Sequence, residues 1–316
     1  MRNFLSVNDV DDLPSLISRA RKIKENPRAG LQSGSGKFLG LIFFNPSLRT
    51  RLSTQRAARN LGLEVMVMNF SEEGWKLETA DGVVMDGDRS EHIREAAAVI
   101  GKYCEIIAIR TFPGLKNKEE DYNENVLRNF MEHSGRPVIS MESATRHPLQ
   151  AFADMITIEE IRTTTKPRVV LTWAPHPKAL PQSVPNSFAE WSLKMDYNLI
   201  ITHPKGYELE NSITRGAEIQ YNQEKALEGA DFIYVKNWSS FSDYGKILSK
   251  DPQWTMNLNK LRNTNHARVM HCLPVRRNMV IADDVLDSSH SIVIQEAENR
   301  IYSAQAVLEQ VISDNF

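Results

Sequence analysis

Cysteine is nearly missing from this chain. Cys104 and Cys272 stand alone among 316 residues, far apart and in no CxxC pair. That argues against a disulfide framework and suits a reducing compartment. Long apolar runs are missing too: no stretch of about 18 apolar residues occurs, so no transmembrane helix is expected. Met1 to Leu13 mixes charged with apolar residues and has no signal-peptide h-region. The expected location is therefore the cytoplasm. Nor is there an excess of charge of one sign. Lys and Arg number 38 against 40 Asp and Glu, a formal net charge of -2. Such a balance provides no field for nucleic acid or an anionic membrane. Any anion must be held by a local cluster. No GxxxxGK[ST] or GxGxxG follows a strand, which removes support for a nucleotide-binding protein. Internal repeats and low-complexity stretches are also absent.

What is present is alternation. The hydrophobic fraction is 41% and the charged fraction 25%, ordinary for a globular chain, and 316 residues suit two domains. Short apolar runs read as buried strands: Phe38 to Phe44, Glu64 to Met68, Ile106 to Ile109 and Val138 to Ser140. In the second half they are Val169 to Trp173, Asn198 to Thr202, Phe232 to Val235, Arg268 to Met270 and Ser291 to Ile294. Amphipathic segments between them read as helices: Arg51 to Leu61, Ser90 to Ile100, Gln150 to Ile161, Asn186 to Lys194, Asn222 to Leu227 and Ser303 to Ile312. This predicts an α/β protein of two doubly wound domains, each with a mainly parallel sheet flanked by helices. The pattern restarts after a loop at Thr163 to Pro167, which puts the domain break around residue 150. Ligands of open α/β sheets bind beyond the carboxyl ends of strands.

Several residues with binding chemistry follow strands. The first strand runs into Asn45-Pro-Ser-Leu-Arg-Thr-Arg51 and then a helix. Free N–H groups at a helix start favour an anion. Ser47 and Thr50 add hydroxyls, and Arg49 adds a planar fork suited to phosphate. The plainer alternative is helix capping by Ser47 with solvated arginines. Arg110 ends the third strand. His147 and Gln150, three apart at a helix start after Val138-Ile-Ser-Met-Glu142, share a face and can both hydrogen-bond a carbonyl or amide. Alone, each also reads as a structural residue.

Together, Ser47-Leu-Arg-Thr-Arg51, Arg110, His147-Pro-Leu-Gln150 and His271-Cys-Leu-Pro274 resemble the aspartate and ornithine carbamoyltransferase family, in order and across nearly the whole chain. The resemblance implies a homotrimer with active sites shared between subunits, no metal and no cofactor. It implies a carbamoyl-phosphate domain over 1–150, joined by a returning helix at 297–316, and an acylornithine domain over 151–296. By motif, Ser47, Leu48, Arg49 and Thr50 hold the phosphate, with Arg300 on the returning helix. Arg110, His147 and Gln150 hold the carbamoyl group, while Cys272 and Leu273 lie beside the attacking amine. Trp75 sits in the loop that a neighbouring subunit lends. Arg110, His147 and Thr50 are the donors for charge building on the carbonyl oxygen, and Cys272 is the nearest candidate for a proton acceptor, with positioning or packing as its other reading.

Ornithine-specific members carry Ser-Met-Gly after a strand of the second domain. Here the corresponding strand runs into Lys236-Asn-Trp238. With Trp173-Ala-Pro-His-Pro177 and Val275-Arg-Arg-Asn278, this is similar to the branch acting on Nα-acylated ornithines. His176, Lys236 and Arg276 are the expected carboxylate partners and Glu142 the amide acceptor. The acetyl-specific branch places a glutamate where this chain has Ser90 and a lysine where it has Val280. A small neutral Ser90 leaves room for a second carboxylate, so a succinylated ornithine is favoured over an acetylated one. A role in arginine biosynthesis follows by resemblance. Acetyl specificity, and a non-catalytic anion-binding or regulatory member of the fold, are the rival readings.

Overall fold

The computed structural model describes residues 1–70 and 74–316. The chain forms two compact units. The first comprises Met1–Gly114, Glu119–Leu149 and Arg300–Phe316, and the second Leu115–Lys118 and Gln150–Asn299.

In chain order the first part contains α1 (Leu13–Glu25), β1 (Phe38–Phe43), α2 (Leu48–Asn60), β2 (Glu64–Asn69), β3 (Leu77–Glu78), β4 (Glu91–His92), α3 (Ile93–Tyr103), β5 (Ile106–Arg110), α4 (Lys118–Tyr122), α5 (Asn125–His133), β6 (Val138–Glu142) and α6 (Pro148–Ile161). The chain passes into the second unit within α6. The second part contains β7 (Arg168–Trp173), α7 (Ser183–Lys194), β8 (Asn198–Thr202), α8 (Asn211–Thr214), β9 (Glu218–Gln220), α9 (Gln223–Leu227), β10 (Phe232–Lys236), β11 (Arg268–Met270), α10 (Asp283–Leu286) and α11 (Val293–Asn315). It returns to the first unit within α11.

The main sheet of unit 1 has the order β2-β1-β5-β6 and that of unit 2 the order β11-β10-β7-β8-β9. Every strand pair is parallel. Central strands are apolar on both faces, as in Leu39, Leu41 and Ile42 of β1 and Val169, Val170 and Leu171 of β7, all fully buried. Burial on both faces is what a parallel sheet flanked by helices requires. Edge strand β2 instead alternates between exposed and partly buried positions. Helix α1 places Leu13, Leu16, Ile17, Ala20 and Ile23 inward at helical spacing, capped by Asp12, whose carboxylate accepts from the Ser15 N–H at 3.0 Å. Among the described residues no helix is long and apolar enough to cross a membrane.

One expected strand does not form. Ser291 makes only an isolated bridge to Val269, and the chain is helical from Val293. The Ile292 N–H bonds the Val269 carbonyl, and the Glu296 N–H then closes onto Ile292, which begins the helix. Three strands lie beyond the expected set because little of their sequence is apolar, β9 and the short β3–β4 pair, and helices α1, α4, α5, α8 and α10 lie beyond it as well.

Strand order locates the binding edges. In unit 1 the connections run from β1 outward to β2 and then back across to β5 and β6, so the order reverses between β1 and β5. In unit 2 it reverses between β7 and β10. The crevices outside the carboxyl ends of those strands are where open α/β sheets take ligands.

Candidate active site

Four segments of unit 1 meet at the carboxyl ends of its sheet. Phe43 of β1 pairs in register with Arg110 of β5, and Arg110 pairs with Glu142 of β6 across a register shift. β1 runs directly into α2, whose N-cap Ser47 is extended and makes no side-chain cap bond. The hydroxyl and the first N–H groups of α2 therefore share one concave end, suited to an anion. Behind them Thr50 is 2% exposed and its Oγ1 accepts from Nη2 of Arg300 at 2.6 Å; Arg300 is 6% exposed. A guanidinium so deep keeps its charge. Arg49 is partly buried beside it in sequence, while the Leu48 side chain is exposed.

Arg110 extends from β5 over the Phe112 ring, 5.2 Å from its centroid. Its Nη2 lies 2.8 Å from Glu142 Oε2, and its Nη1 points at the carbonyls of Asn45 and Pro46, 3.4 Å away. The Nε2 of His147 is 3.6 Å from the same Glu142 oxygen. Glu142 thus lies between the two groups expected at the carbamoyl carbonyl. Glu124 braces the turn before His147, accepting at one oxygen from the Ser143 hydroxyl (2.5 Å), the Thr145 hydroxyl (2.6 Å) and the Thr145 N–H (3.0 Å). The sequence reading had no means to single out Glu124, whose partners lie about 20 residues on.

Unit 2 gathers a second set. His176 follows β7 and Lys236 ends β10, the two strands at the switch point. Lys236 is 8% exposed. Arg276 donates from Nε to His176 Nε2 at 3.1 Å, and His176 Nδ1 meets the Lys178 carbonyl at 2.8 Å. The Lys178 N–H also meets His176 Nδ1, at 3.1 Å. Burial, joined by the charges of Lys236 and Arg276 and opposed by the bond to Lys178, lowers the His176 pKa, so the imidazole is neutral between two cations. A carboxylate is the natural third party there.

After β11 comes His271-Cys-Leu-Pro274. Leu273 has φ 52° and precedes a cis proline. The left-handed turn is pinned by the Leu273 N–H, which donates to His271 Nδ1 at 2.8 Å. Cys272 is 9% exposed. Gln150 is 1% exposed, and its Nε2 donates to Asp154 Oδ1 at 2.7 Å and Glu296 Oε1 at 3.0 Å. Sequence reasoning missed these two acids; the spacing of Gln150 and Asp154, one helical turn apart, was the available signal for the first. Val280 is buried in the apolar core of unit 2.

Trp75 and Ser90 stand apart. The Trp75 ring is 57% exposed and donates to Glu91 Oε2 at 2.9 Å. Ser90 is exposed, and its N–H donates to the Lys76 carbonyl at 3.2 Å. Among the described residues none of their hydrogen bonds reaches the Arg49–Arg110 group.

Two family models match the chain: the aspartate/ornithine carbamoyltransferase carbamoyl-P binding domain over residues 2–160 and the Asp/Orn binding domain over 181–311. The chain is 54% identical over 316 residues to an N-succinylornithine carbamoyltransferase of Bacteroides fragilis, covering 99% of each. It is 33% identical over 336 residues to an N-acetylornithine carbamoyltransferase of Xanthomonas axonopodis pv. citri, covering 99% of this chain and 97% of that protein. It is also similar to a crystal structure of N-acetyl-L-ornithine transcarbamylase in which a glutamate is replaced by serine, complexed with carbamyl phosphate and N-succinyl-L-norvaline. There the identity is 32%, the coverage 98% of this chain and 100% of that one, and the TM-score 0.92.

Proposed function

We infer the reaction from the family to which the chain belongs, the aspartate/ornithine carbamoyltransferases: it transfers the carbamoyl group of carbamoyl phosphate to the δ-amine of N-succinyl-L-ornithine, giving N-succinyl-L-citrulline and phosphate. The observation that carries the acyl choice is the full-length 54% identity to an N-succinylornithine enzyme. Ser90 supports it. A relative with a glutamate exchanged for serine holds N-succinyl-L-norvaline, and Ser90, which the resemblance sets against a glutamate of the acetyl-specific branch, is small and neutral and leaves space for a second carboxylate.

The roles follow the family motifs, and the chemistry gives each its reason. The neutral δ-amine attacks the carbamoyl carbon; the new C–N bond forms, the C–O bond to phosphorus breaks, and phosphate departs with the bonding pair. The amine proton goes to the departing phosphate, so no covalent enzyme intermediate, metal or cofactor enters the scheme. Ser47, Leu48, Arg49 and Arg300 with the α2 N-terminus hold the phosphate. Arg110, Thr50 and His147 stabilise the carbonyl oxygen as it gains charge, and Gln150 takes the carbamoyl amide. Cys272 and Leu273 flank the amine. Lys236, His176 and Arg276 take carboxylate, and Glu142, which has lone pairs for several donors, accepts the acyl amide N–H.

The working assembly is a cytoplasmic homotrimer serving arginine biosynthesis, with Trp75 and Ser90 lent to a neighbour's site. In support, the Trp75–Ser90 segment is exposed in the single chain, and Leu48 and Leu52 present apolar surface from α2 at 70% and 58% exposure. The test is citrulline-type product formation from carbamoyl phosphate with ornithine, N-acetylornithine and N-succinylornithine in parallel. Turnover of the succinyl substrate alone is expected. Ser90→Glu should then move the succinyl-to-acetyl ratio of kcat/KM by roughly a hundredfold, since like charges brought together cost several kcal/mol. An unmoved ratio would remove Ser90 from the acyl site, and turnover of the acetyl substrate by the parent protein would overturn the acyl choice.

A further inference from the structure

Behind Gln150 lies a buried pair of acids that the reaction scheme leaves unused. Asp154 stands one helical turn after Gln150 on α6, and Glu296 in the first turn of α11; both are fully buried. Gln150 Nε2 has two hydrogens, and both are taken, by Asp154 Oδ1 at 2.7 Å and Glu296 Oε1 at 3.0 Å. The other Glu296 oxygen accepts from the His271 N–H at 2.8 Å, at the start of the turn that carries Cys272 and Leu273. Gln150 Oε1 is buried and accepts no hydrogen bond among the described residues.

An amide side chain normally has two orientations of similar energy, related by exchanging its oxygen and nitrogen. Here the exchanged orientation sets an oxygen against two carboxyl oxygens and takes from each acid the N–H that Gln150 supplies. Two adjoining buried acids cannot both ionise cheaply, and one shared proton relieves them. Burial and the Asp154 charge hold the Glu296 carboxyl well above the usual carboxylate range. With the shared proton on Glu296, Asp154 accepts from Gln150 and fixes which end of the amide faces it. The single remaining polar atom of Gln150 is an acceptor, matched to an N–H donor.

We propose that Asp154 and Glu296 are positioning residues for the transferred carbamoyl group, locking the Gln150 amide so that its Oε1 accepts from the carbamoyl NH2, while Glu296 ties the same lock to the His271–Pro274 turn. The proposal rests on the reading that Gln150 takes the carbamoyl amide. In this arrangement Asp154 acts through Gln150, and Glu296 through both Gln150 and the His271 N–H.

The test is a double-mutant cycle in the full-length protein. Asp154→Asn removes the acceptor-only partner and allows the amide to turn over. We expect kcat/KM for carbamoyl phosphate to fall roughly ten- to a hundredfold, the scale of a misplaced binding group. In a Gln150→Ala background the same substitution should change kcat/KM less than about twofold. Inhibition by inorganic phosphate, which has no carbamoyl NH2, should be unchanged in Asp154→Asn. Glu296→Gln keeps a neutral donor toward Asp154; it should lose less than Asp154→Asn, and the part of its loss that passes through Gln150 should vanish in the Gln150→Ala background, so it serves if Asp154→Asn does not fold. A further tenfold loss on top of Gln150→Ala, or a matching loss of phosphate inhibition, overturns the proposal as a general structural effect. Full activity in Asp154→Asn with a loss in Gln150→Ala overturns the proposal alone. Full activity in Gln150→Ala overturns the underlying reading of Gln150 and the proposal with it.

Discussion

Burial decides how Cys104 behaves as a residue. It is 1% exposed between β1 and α3, and a Cβ on Gly40 would come within 2.9 Å of its sulfur. Burial, with the Glu105 charge adding and Arg136 opposing, pushes the thiol up to about 11. At pH 8 it is protonated and unreactive. A Cys272→Ser variant mixed with an aromatic disulfide at pH 8 should therefore release no thiolate until it is unfolded; rapid reaction of the native protein would contradict this placement. The sign for stability follows. Because the folded value lies above the unfolded one, Cys104's contribution is intact below about pH 9 and is lost as pH rises through about 11. The candidate site residues differ in how visible they were. Arg110 and Lys236 each end a fully apolar run, so their placement could be read from position. Glu296 could not: it is 146 residues from Gln150 and forms part of an otherwise ordinary amphipathic helix.

Elements carry constraints that single residues do not reveal. Gly101 lies in α3, where alanine normally gains about 1 kcal/mol over glycine. In this helix a Cβ at 101 would stand 2.0 Å from the Ser134 carbonyl oxygen, because the chain leaving α5 crosses there. Backbone cannot yield as a side-chain tip can. Gly101→Ala is expected to destabilise by about 3 kcal/mol, at the upper end for overpacking, seen as a lowered midpoint in urea at unchanged slope; a raised midpoint would show that α3 can move. Strands of unit 1 and unit 2 that are central to their sheets were legible because burial on both faces demands an uninterrupted apolar run. β9 was not, since an edge strand of three residues with two exposed positions needs no such run. Ser291 to Ile294 misled for the converse reason. Its apolar residues are the entry to α11, and a run of four residues is too short to tell the two apart.

For the whole molecule, the proposed sharing of sites between subunits makes a distinct prediction. Arg110→Ala and Trp75→Ala proteins should each be nearly inactive. Co-refolded together, they should regain activity, because some sites then draw an intact Arg110 from one subunit and an intact Trp75 from the next. If mixing restores nothing, Trp75 serves its own chain. This level of organisation was accessible from the sequence only through the resemblance. The chain's own pattern contains alternating strands and helices but no term for what a second copy would cover.

The order in which the chain is made bears on its first unit. Unit 1 holds the N-terminal sheet and also Arg300–Phe316. Those later residues supply the Arg300–Thr50 bond, the Ser303 hydroxyl bond to the Leu149 carbonyl at 2.6 Å and the Asn60–Gln305 bond at 2.8 Å. During synthesis at roughly 5–20 residues per second, about ten to thirty seconds separate Leu149 from Arg300. Through that interval a nascent unit 1 has its sheet but not α11, and the buried hydroxyl of Thr50 has no guanidinium. The unit that leaves the ribosome first is thus completed after the whole of the second has followed it, and until then Thr50 waits for the guanidinium of Arg300.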